Sequence, residues 1–294
     1  MSSNEWNIKD LLEITTDYFK NKAIDNPRLS AEILLTHLLK KSRISLYLSF
    51  DQPLKQKEID EYRRLVKRRL AREPIQYITG KQEFWSLEFE VDKRVLIPRP
   101  ETELLVEQVI SLYRKKESFQ NHSPRILDMG TGSGAIAISI AREIKKAFIW
   151  ASDISDEALK VAETNAVKLG VIDRIRFVRG ELFQPFSGTL QKFDYIISNP
   201  PYIPSEDYSS LQPEVRDYEP RIALDGKKRG MFFIREIIAQ GVDFLENDGW
   251  LLIEMAPVQT DIAFKILDGN PVYTEKKRLK DYSQRYRVVM TKKG

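Results

Sequence analysis

The 294-residue chain contains no cysteine and only two histidines, His37 and His122. The first absence excludes disulfides, thiolate metal sites and a cysteine nucleophile, and the second removes His-based triads and multi-His metal centres. His37 falls in an apolar helical run and reads as a packed or edge residue. His122, in the polar stretch 121–124, reads as loop. No metal is expected. No apolar run approaches the roughly 18 residues of a membrane span. The chain does not open on a basic stretch followed by an apolar one, so no secretory signal is expected either. With 42% hydrophobic and 31% charged residues, the composition is that of an ordinary globular protein, expected in the cytoplasm.

What is present is a mild positive excess. The net charge is +4, and residues 1–80 supply all of it, with 15 basic against 11 acidic side chains. That split permits an acidic or nucleic-acid-associated partner without requiring one.

Residues 1–73 read as a small all-α bundle domain. Asn26-Pro27 suits a helix start, with Leu29, Ile33, Leu34, Leu38 and Leu39 following on a helical period. A later amphipathic helix buries Ile59, Tyr62, Leu65, Val66 and Leu70. Its outer face carries Arg63, Arg64, Lys67, Arg68 and Arg72, a stripe that reads as a solvated face or as a docking surface for an acidic or RNA-bound partner. Residues 74–97, where Phe84–Val91 alternates as a strand does, read as a β-hairpin linker. Residues 98–294 form the larger domain, opened by a helix expected to run from the Pro98–Glu103 segment to about residue 116.

From Arg125 strands and helices alternate. Strands are expected at 125–129, 147–152, 174–179, 193–198 and 249–255, with helices at 134–144, 155–169 and 230–245. The fold class is therefore α/β, a Rossmann-like open sheet of parallel strands. Two further strand-like runs, near Val272–Leu279 and Tyr286–Thr291, suit an antiparallel edge pair.

Two motifs carry chemistry. Asn199-Pro200-Pro201-Tyr202 follows the apolar run Phe193–Ser198, which reads as a buried strand. Consecutive prolines remove two N–H donors and keep the backbone out of helical geometry, so the carbonyls there stay available as acceptors. Asn199 adds a side-chain carbonyl. Acceptors beside an aromatic ring suit a planar –NH2 group, a carboxamide or an exocyclic base amine. The second motif is the loop after the first strand, with Asp128, Gly130, Thr131, Gly132, Ser133 and Gly134. Glycines let backbone approach a ligand closely, and ligands of open α/β sheets bind beyond the carboxyl ends of the strands. Asp153, ending the second strand, is placed for ribose hydroxyls. Gly130, Gly132 and Ala135 also fit a looser dinucleotide fingerprint. Asp128, just before the loop, suits a positively charged ligand end instead. Strands one and four of such a sheet are neighbours, which brings the two motifs into one crevice.

Here the chain resembles the class I S-adenosylmethionine-dependent methyltransferases that carry an Asn-Pro-Pro-Tyr motif. The segments Arg72–Gly80, Ile97–Glu103 and Asp217–Arg221 resemble, more narrowly, the HemK-type protein-glutamine methyltransferases, over nearly the whole chain. The resemblance implies methyl transfer from S-adenosylmethionine, leaving S-adenosylhomocysteine, to the side-chain amide of the Gln in the Gly-Gly-Gln loop of class I peptide chain release factors. It also implies cofactor contacts from the glycine loop, Asp153 and Asn199, with Glu181 and Leu182 near the adenine. Stable nucleic-acid binding is not expected, and a monomer is. Four positions depart from the family pattern: Glu181 where Asp is usual, Ala256 where Gly is frequent, and Lys227 and Arg229 where Gly and Asp are common.

In that chemistry Asn199 and the Pro200 carbonyl each accept one N–H of the substrate amide and aim its lone pair. Pro201 and Tyr202 complete the substrate wall, the Tyr202 ring packing against the amide plane. Two other readings use the same features: methylation of an adenine amine in nucleic acid, and a non-enzymatic adaptor on a methyltransferase fold.

Overall fold

The computed structural model describes residues 6–115 and 123–294; His122 and Lys116, the expected end of one helix, lie outside them. The chain begins with α1 (Ile8–Asn21), α2 (Pro27–Leu39), α3 (Arg43–Tyr47), α4 (Gln56–Leu70) and α5 (Ile75–Thr79). There follow β1 (Lys81–Phe84), β2 (Leu87–Glu90), α6 (Glu103–Lys115), β3 (Arg125–Met129), α7 (Ala135–Glu143), β4 (Phe148–Asp153) and α8 (Asp156–Lys168). Next are β5 (Ile175–Arg179), β6 (Phe193–Ser198), α9 (Pro213–Arg216) and α10 (Phe232–Phe244). The chain closes with β7 (Leu245–Glu254), α11 (Pro257–Asp268), β8 (Tyr273–Lys280) and β9 (Tyr286–Lys293). Two compact units result: residues up to Lys81 together with Gln212–Tyr218, and Gln82–Leu211 with Glu219–Gly294.

In the first unit the amphipathic helices close on Ile8, Leu12, Phe19, Leu34, Leu35 and Ile59. The Asn7 side chain caps α1 by accepting the Asp10 N–H at 2.8 Å, and Pro27 opens α2 where its missing N–H costs nothing. Buried Tyr62 finds a partner in the Ala31 carbonyl at 3.0 Å, as an interior phenol must. The segment Gln212–Tyr218 joins this unit through Arg69–Glu214 at 3.0 Å and Tyr218 to the Ala71 carbonyl at 2.6 Å. The basic stripe of α4 is extensively neutralised within the unit: Arg63 faces Asp60, Arg64 faces Glu61, Arg68 faces Glu73 and Arg72 faces Glu214. This pairing favours the solvated-face reading of the stripe.

The second unit is built on a seven-stranded sheet in the order β5-β4-β3-β6-β7-β9-β8. The first five strands are mutually parallel, and β9 runs antiparallel to both β7 and β8. The expected antiparallel pair is therefore present, with β9 between β7 and the edge strand β8. Every residue of β6 is buried, which is why that run is continuously apolar rather than alternating. β7 starts at Leu245, earlier than expected, because Leu245 still pairs with Phe193 across a register shift. The helix α11 had no expectation attached to it; Pro257 opens it at the first turn. Ahead of α6, Pro100–Thr102 form a short 3-10 turn. The β1–β2 hairpin turns through Trp85 and Ser86, both at positive φ. The mirror-image turn these angles make normally selects Asn-Gly. Here the Trp85 N–H donates to Glu103 at 2.7 Å and its indole N–H to Glu143 at 3.0 Å. The hairpin is tied down by buried Asn165, which accepts the Glu90 N–H at 2.7 Å and donates to the Glu90 and Ser133 carbonyls.

Candidate active site

Strands β3 and β6 are adjacent, with Met129 opposite Ser198. The Ser198 hydroxyl donates to the Met129 carbonyl at 2.8 Å, so the two loops that follow leave the sheet at one level. Between them lies a cavity of about 640 Å³. From the glycine-loop side Gly130, Gly132, Asp153, Glu181 and Leu182 line it. From the other side come Asn199, Pro200 and Pro201, and Leu96, Phe233 and Ile237 supply apolar wall.

The remaining expected loop residues stand behind this wall. Asp128 is fully buried; its Oδ2 accepts the Thr131 hydroxyl at 2.6 Å and the Ala137 N–H at 3.1 Å. Its Oδ1 has no partner among the described residues. Burial pushes this carboxyl up to about 7, against the pull of those two donors. Thr131 and Ser133 are buried as well. Gly134 adopts φ +83°, and a Cβ there would meet Ile138 at 2.7 Å and Ala162 at 3.2 Å. Its smallness therefore serves the packing of α7 against α8.

Asp153 ends β4. One oxygen accepts the Gly132 N–H and the other the Ser155 N–H, both at 2.9 Å. Burial raises its pKa. Each carboxylate oxygen keeps a further lone-pair site. Leu182 sits at φ +49°, an uncommon conformation for a branched residue that turns the chain along the cavity wall.

Asn199 Nδ2 donates to the Thr102 hydroxyl at 3.0 Å. Among the described residues its Oδ1 and the Pro200 carbonyl accept no hydrogen bond. Tyr202 does not line the cavity; its hydroxyl donates to Glu254 at 3.3 Å. Glu254 is buried at the end of β7, and burial pushes it up to about 7 although Thr102, Arg287 and Tyr202 favour its charge. Burial, with the Glu254 charge beside it, raises the Tyr202 pKa as well.

The Asn199–Tyr202 loop is braced from elsewhere. Gln259 Nε2 donates to the Tyr202 carbonyl at 2.8 Å and to the Arg229 and Gly230 carbonyls. The Ile203 N–H donates to the Leu224 carbonyl at 2.9 Å and its carbonyl accepts the Gly226 N–H at 2.8 Å, an isolated parallel bridge centred on Asp225. The Ser205 hydroxyl, with the Lys227 N–H and charge, holds Asp225 below the usual carboxylate range. Arg99 pairs with buried Glu219, whose other oxygen accepts the Ile97 N–H at 3.2 Å. Two segments quoted for the family resemblance are thereby joined. Thr102 and Glu219 were legible as members of motifs and Glu254 as part of an expected strand, but neither they nor Gln259 were legible as parts of this site. Their partners lie dozens of residues away. Among the described residues no group of three acidic or His side chains is placed to hold a metal ion, and no helix is long and apolar enough to cross a membrane.

Sheet order, glycine loop and terminal acid together define a Rossmann-like methyltransferase. The chain matches the PrmC N-terminal domain over residues 10–80 and the methyltransferase small domain over residues 102–211. It is 42% identical over 256 residues to the release factor glutamine methyltransferase of Geobacter sulfurreducens, covering 87% of this chain and 86% of that one. With the protein of that name from Rhodopirellula baltica it shares 39% over 289 residues, 98% and 97% of the two chains. A solved hMettl16 catalytic domain, in complex with MAT2A 3′UTR hairpin 6, superposes with TM-score 0.55 at 15% identity over 76% of this chain and 80% of that one, a likeness of fold alone. The chain belongs to the family of release factor glutamine methyltransferases.

Proposed function

We propose that this enzyme methylates the side-chain amide nitrogen of the Gln in the Gly-Gly-Gln loop of peptide chain release factors, with S-adenosylmethionine as methyl donor. The observation that carries the reading is the single cavity walled on one side by the glycine loop and Asp153 and on the other by Asn199 and Pro200. The residues fit the cofactor. Asp153 has lone pairs for the ribose hydroxyls, Leu182, Phe233 and Ile237 offer an apolar slot for the adenine, and Glu181 stands at its edge. Buried Asp128, with one oxygen unpartnered, lies behind the loop as a carboxyl whose charged form the cationic end would favour. When bound there, S-adenosylmethionine supplies an electrophilic methyl group on a sulfonium.

An amide nitrogen is a weak nucleophile because its lone pair is delocalised into the carbonyl. Asn199 Oδ1 and the Pro200 carbonyl supply two fixed acceptors for its two hydrogens. Holding both orients the lone pair and steadies positive charge as it develops on nitrogen. The Pro-Pro backbone makes those acceptors rigid, since neither proline can supply a competing donor. Tyr202, tethered to Glu254, is part of the frame of the substrate wall in this reading. Residues 1–73 are proposed as a second contact with the release factor, supported by domain order. Acting on release factors, the enzyme works as a monomer in the cytoplasm.

Intact-mass analysis after incubation with S-adenosylmethionine and either a release factor or an adenine-containing oligonucleotide tests the reading. One added methyl on the Gly-Gly-Gln glutamine is expected. Methylation of the oligonucleotide alone would move the same acceptor chemistry to a base and sink the proposal.

A further inference from the structure

We infer that Arg221 and Lys227 form a cationic rim on the substrate side of the cavity, which docks a carboxylate of the release factor beside its target glutamine. This deepens the proposed function and rests on it, since that reading supplies the substrate.

The rim is built against the acceptor loop. A Cβ on Gly226 would stand 2.7 Å from both the Pro201 carbonyl oxygen and the Tyr202 Cα, so the turn that carries Lys227 lies directly on the Asn199–Tyr202 segment. The Lys227 carbonyl accepts the Ser205 N–H at 3.2 Å and holds the turn there. Arg221, Ile222 and Lys227 all line the cavity. At 63%, 54% and 57% exposure they stand at its mouth.

The two cations share one acid. Asp225 Oδ1 is taken by the Ser205 hydroxyl and the Lys227 backbone N–H. Arg221 Nε and Lys227 Nζ stand 3.7 and 3.6 Å from Oδ2, beyond hydrogen-bonding reach. Among the described residues neither side chain donates a hydrogen bond. Two positive charges against one negative leave the rim positive, with donors to spare. Arg94, the other arginine lining the cavity, differs: its Nε and Nη2 bond to Asp92 at 2.9 and 2.6 Å. Arg221 instead lies over the Tyr208 ring, 4.7 Å from the centroid, which holds its guanidinium at the mouth.

Lys227 occupies backbone at φ 62° and ψ −154°, a region that only glycine enters without strain. A strained residue at a ligand cavity points to a role for its side chain. Here that side chain is an exposed ammonium at the edge of the acceptor loop. Two cations around exposed Ile222 match a single carboxylate on a protein surface. A nucleic-acid backbone would call for a longer phosphate track.

The test measures steady-state methylation of a whole release factor by the full-length enzyme at low ionic strength. Lys227→Met removes the charge and keeps both the stem and the backbone strain, whereas Lys227→Gly removes charge and strain together. Both should raise KM for the release factor about 3- to 10-fold, with kcat and cofactor affinity by calorimetry within about twofold. Lys227→Arg should restore the wild-type KM. The gap between wild type and Lys227→Met should close as salt is raised from about 0.05 to about 0.5 M. A wild-type KM in the methionine variant overturns the inference, and so does a gap that salt leaves unchanged. A KM raised in the glycine variant alone also overturns it, by assigning the effect to the turn rather than to the charge. An adenine-containing oligonucleotide that competes with the release factor on the wild type, but not on Lys227→Met, would give the rim to nucleic acid and overturn it as well. A wild-type enzyme that leaves the glutamine unmethylated would refute the proposed function instead, which keeps the two failures apart.

Discussion

The two loops that meet at the cavity are built by opposite means. The glycine loop is held from within its own strand–turn–helix and by the next strand and helix: Thr131 bonds to Asp128 three residues away, the Ala137 N–H to the same carboxylate nine away, the Gly132 N–H to Asp153 21 away and the Ser133 carbonyl to Asn165 32 away. The Asn199–Tyr202 loop is held from a distance. Asn199 reaches Thr102 across 97 residues, Tyr202 reaches Glu254 across 52, and Gln259 grips the Tyr202 carbonyl across 57. A loop of the first kind takes its geometry from its own strand–turn–helix and the strand and helix that follow it in the chain. A loop of the second kind carries its chemistry in four letters and imports its geometry. The first should therefore tolerate damage to the rest of the unit, and the second should not.

The most severe break of this contrast is Gly230→Ala. A Cβ there would lie 1.9 Å from the Tyr202 carbonyl oxygen and 2.4 Å from Gln259 Nε2, at φ +65°. Stability should fall by about 2–4 kcal/mol and turnover by more than about 100-fold, while calorimetry finds cofactor affinity nearly unchanged. Loss of both functions together would show that the loops are not separable.

Glu254→Gln probes the remote frame through pH. The Glu254 carboxyl is raised from 4.5 to about 7 in the folded protein. The unfolded chain therefore loses its proton first, and stability from this group is present below about pH 4.5 and lost as pH rises toward 7. Chemical denaturation should find the two proteins alike near pH 4 and the variant more stable above pH 7, by on the order of 3 kcal/mol. A constant difference across that range would show that Glu254 does not titrate in this way.

On the local side, Asp153→Ala removes the carboxylate that takes the Gly132 N–H. Cofactor affinity should weaken about 10- to 100-fold, and thermal denaturation should show the fold retained. Unchanged affinity would remove Asp153 from the cofactor site.

The smallest effect is expected at Lys227, whose φ of 62° and ψ of −154° belong to a region occupied almost solely by glycine. Lys227→Gly should raise stability by about 1 kcal/mol, read as a rise in Tm of about 2–3 °C. A fall would mean that its contacts with Asp225 outweigh the strain.

The departures noted in the sequence separate on the same ground. Ala256 lies at φ −65° and ψ 148°, ordinary extended backbone that needs no glycine, whereas Lys227 occupies backbone that does. Motif spelling cannot tell these apart, since the difference lies in dihedral angles set by the surrounding turn. The apolar run of β6 was legible because a strand buried on both faces needs no alternation. The earlier start of β7 was not, because it depends on a register shift against Phe193. Tyr202 illustrates the limit at the site: its sequence suggests a ring against the substrate amide, while the structure directs its hydroxyl to Glu254.

By itself the sequence determined the alternation of strands and helices from β3 to β7, the glycine loop with its acid, and the pair of prolines that keep backbone carbonyls free. Those follow from periodicity and from backbone chemistry within a few residues. Only the tertiary structure decided which end of Asn199 is bound and what holds Tyr202. It also decided why Gly134 and Gly230 must be small. Such outcomes depend on groups brought together by β3, β6 and β7 pairing side by side, and hydrogen-bond direction and close contact exist only once those strands are in register.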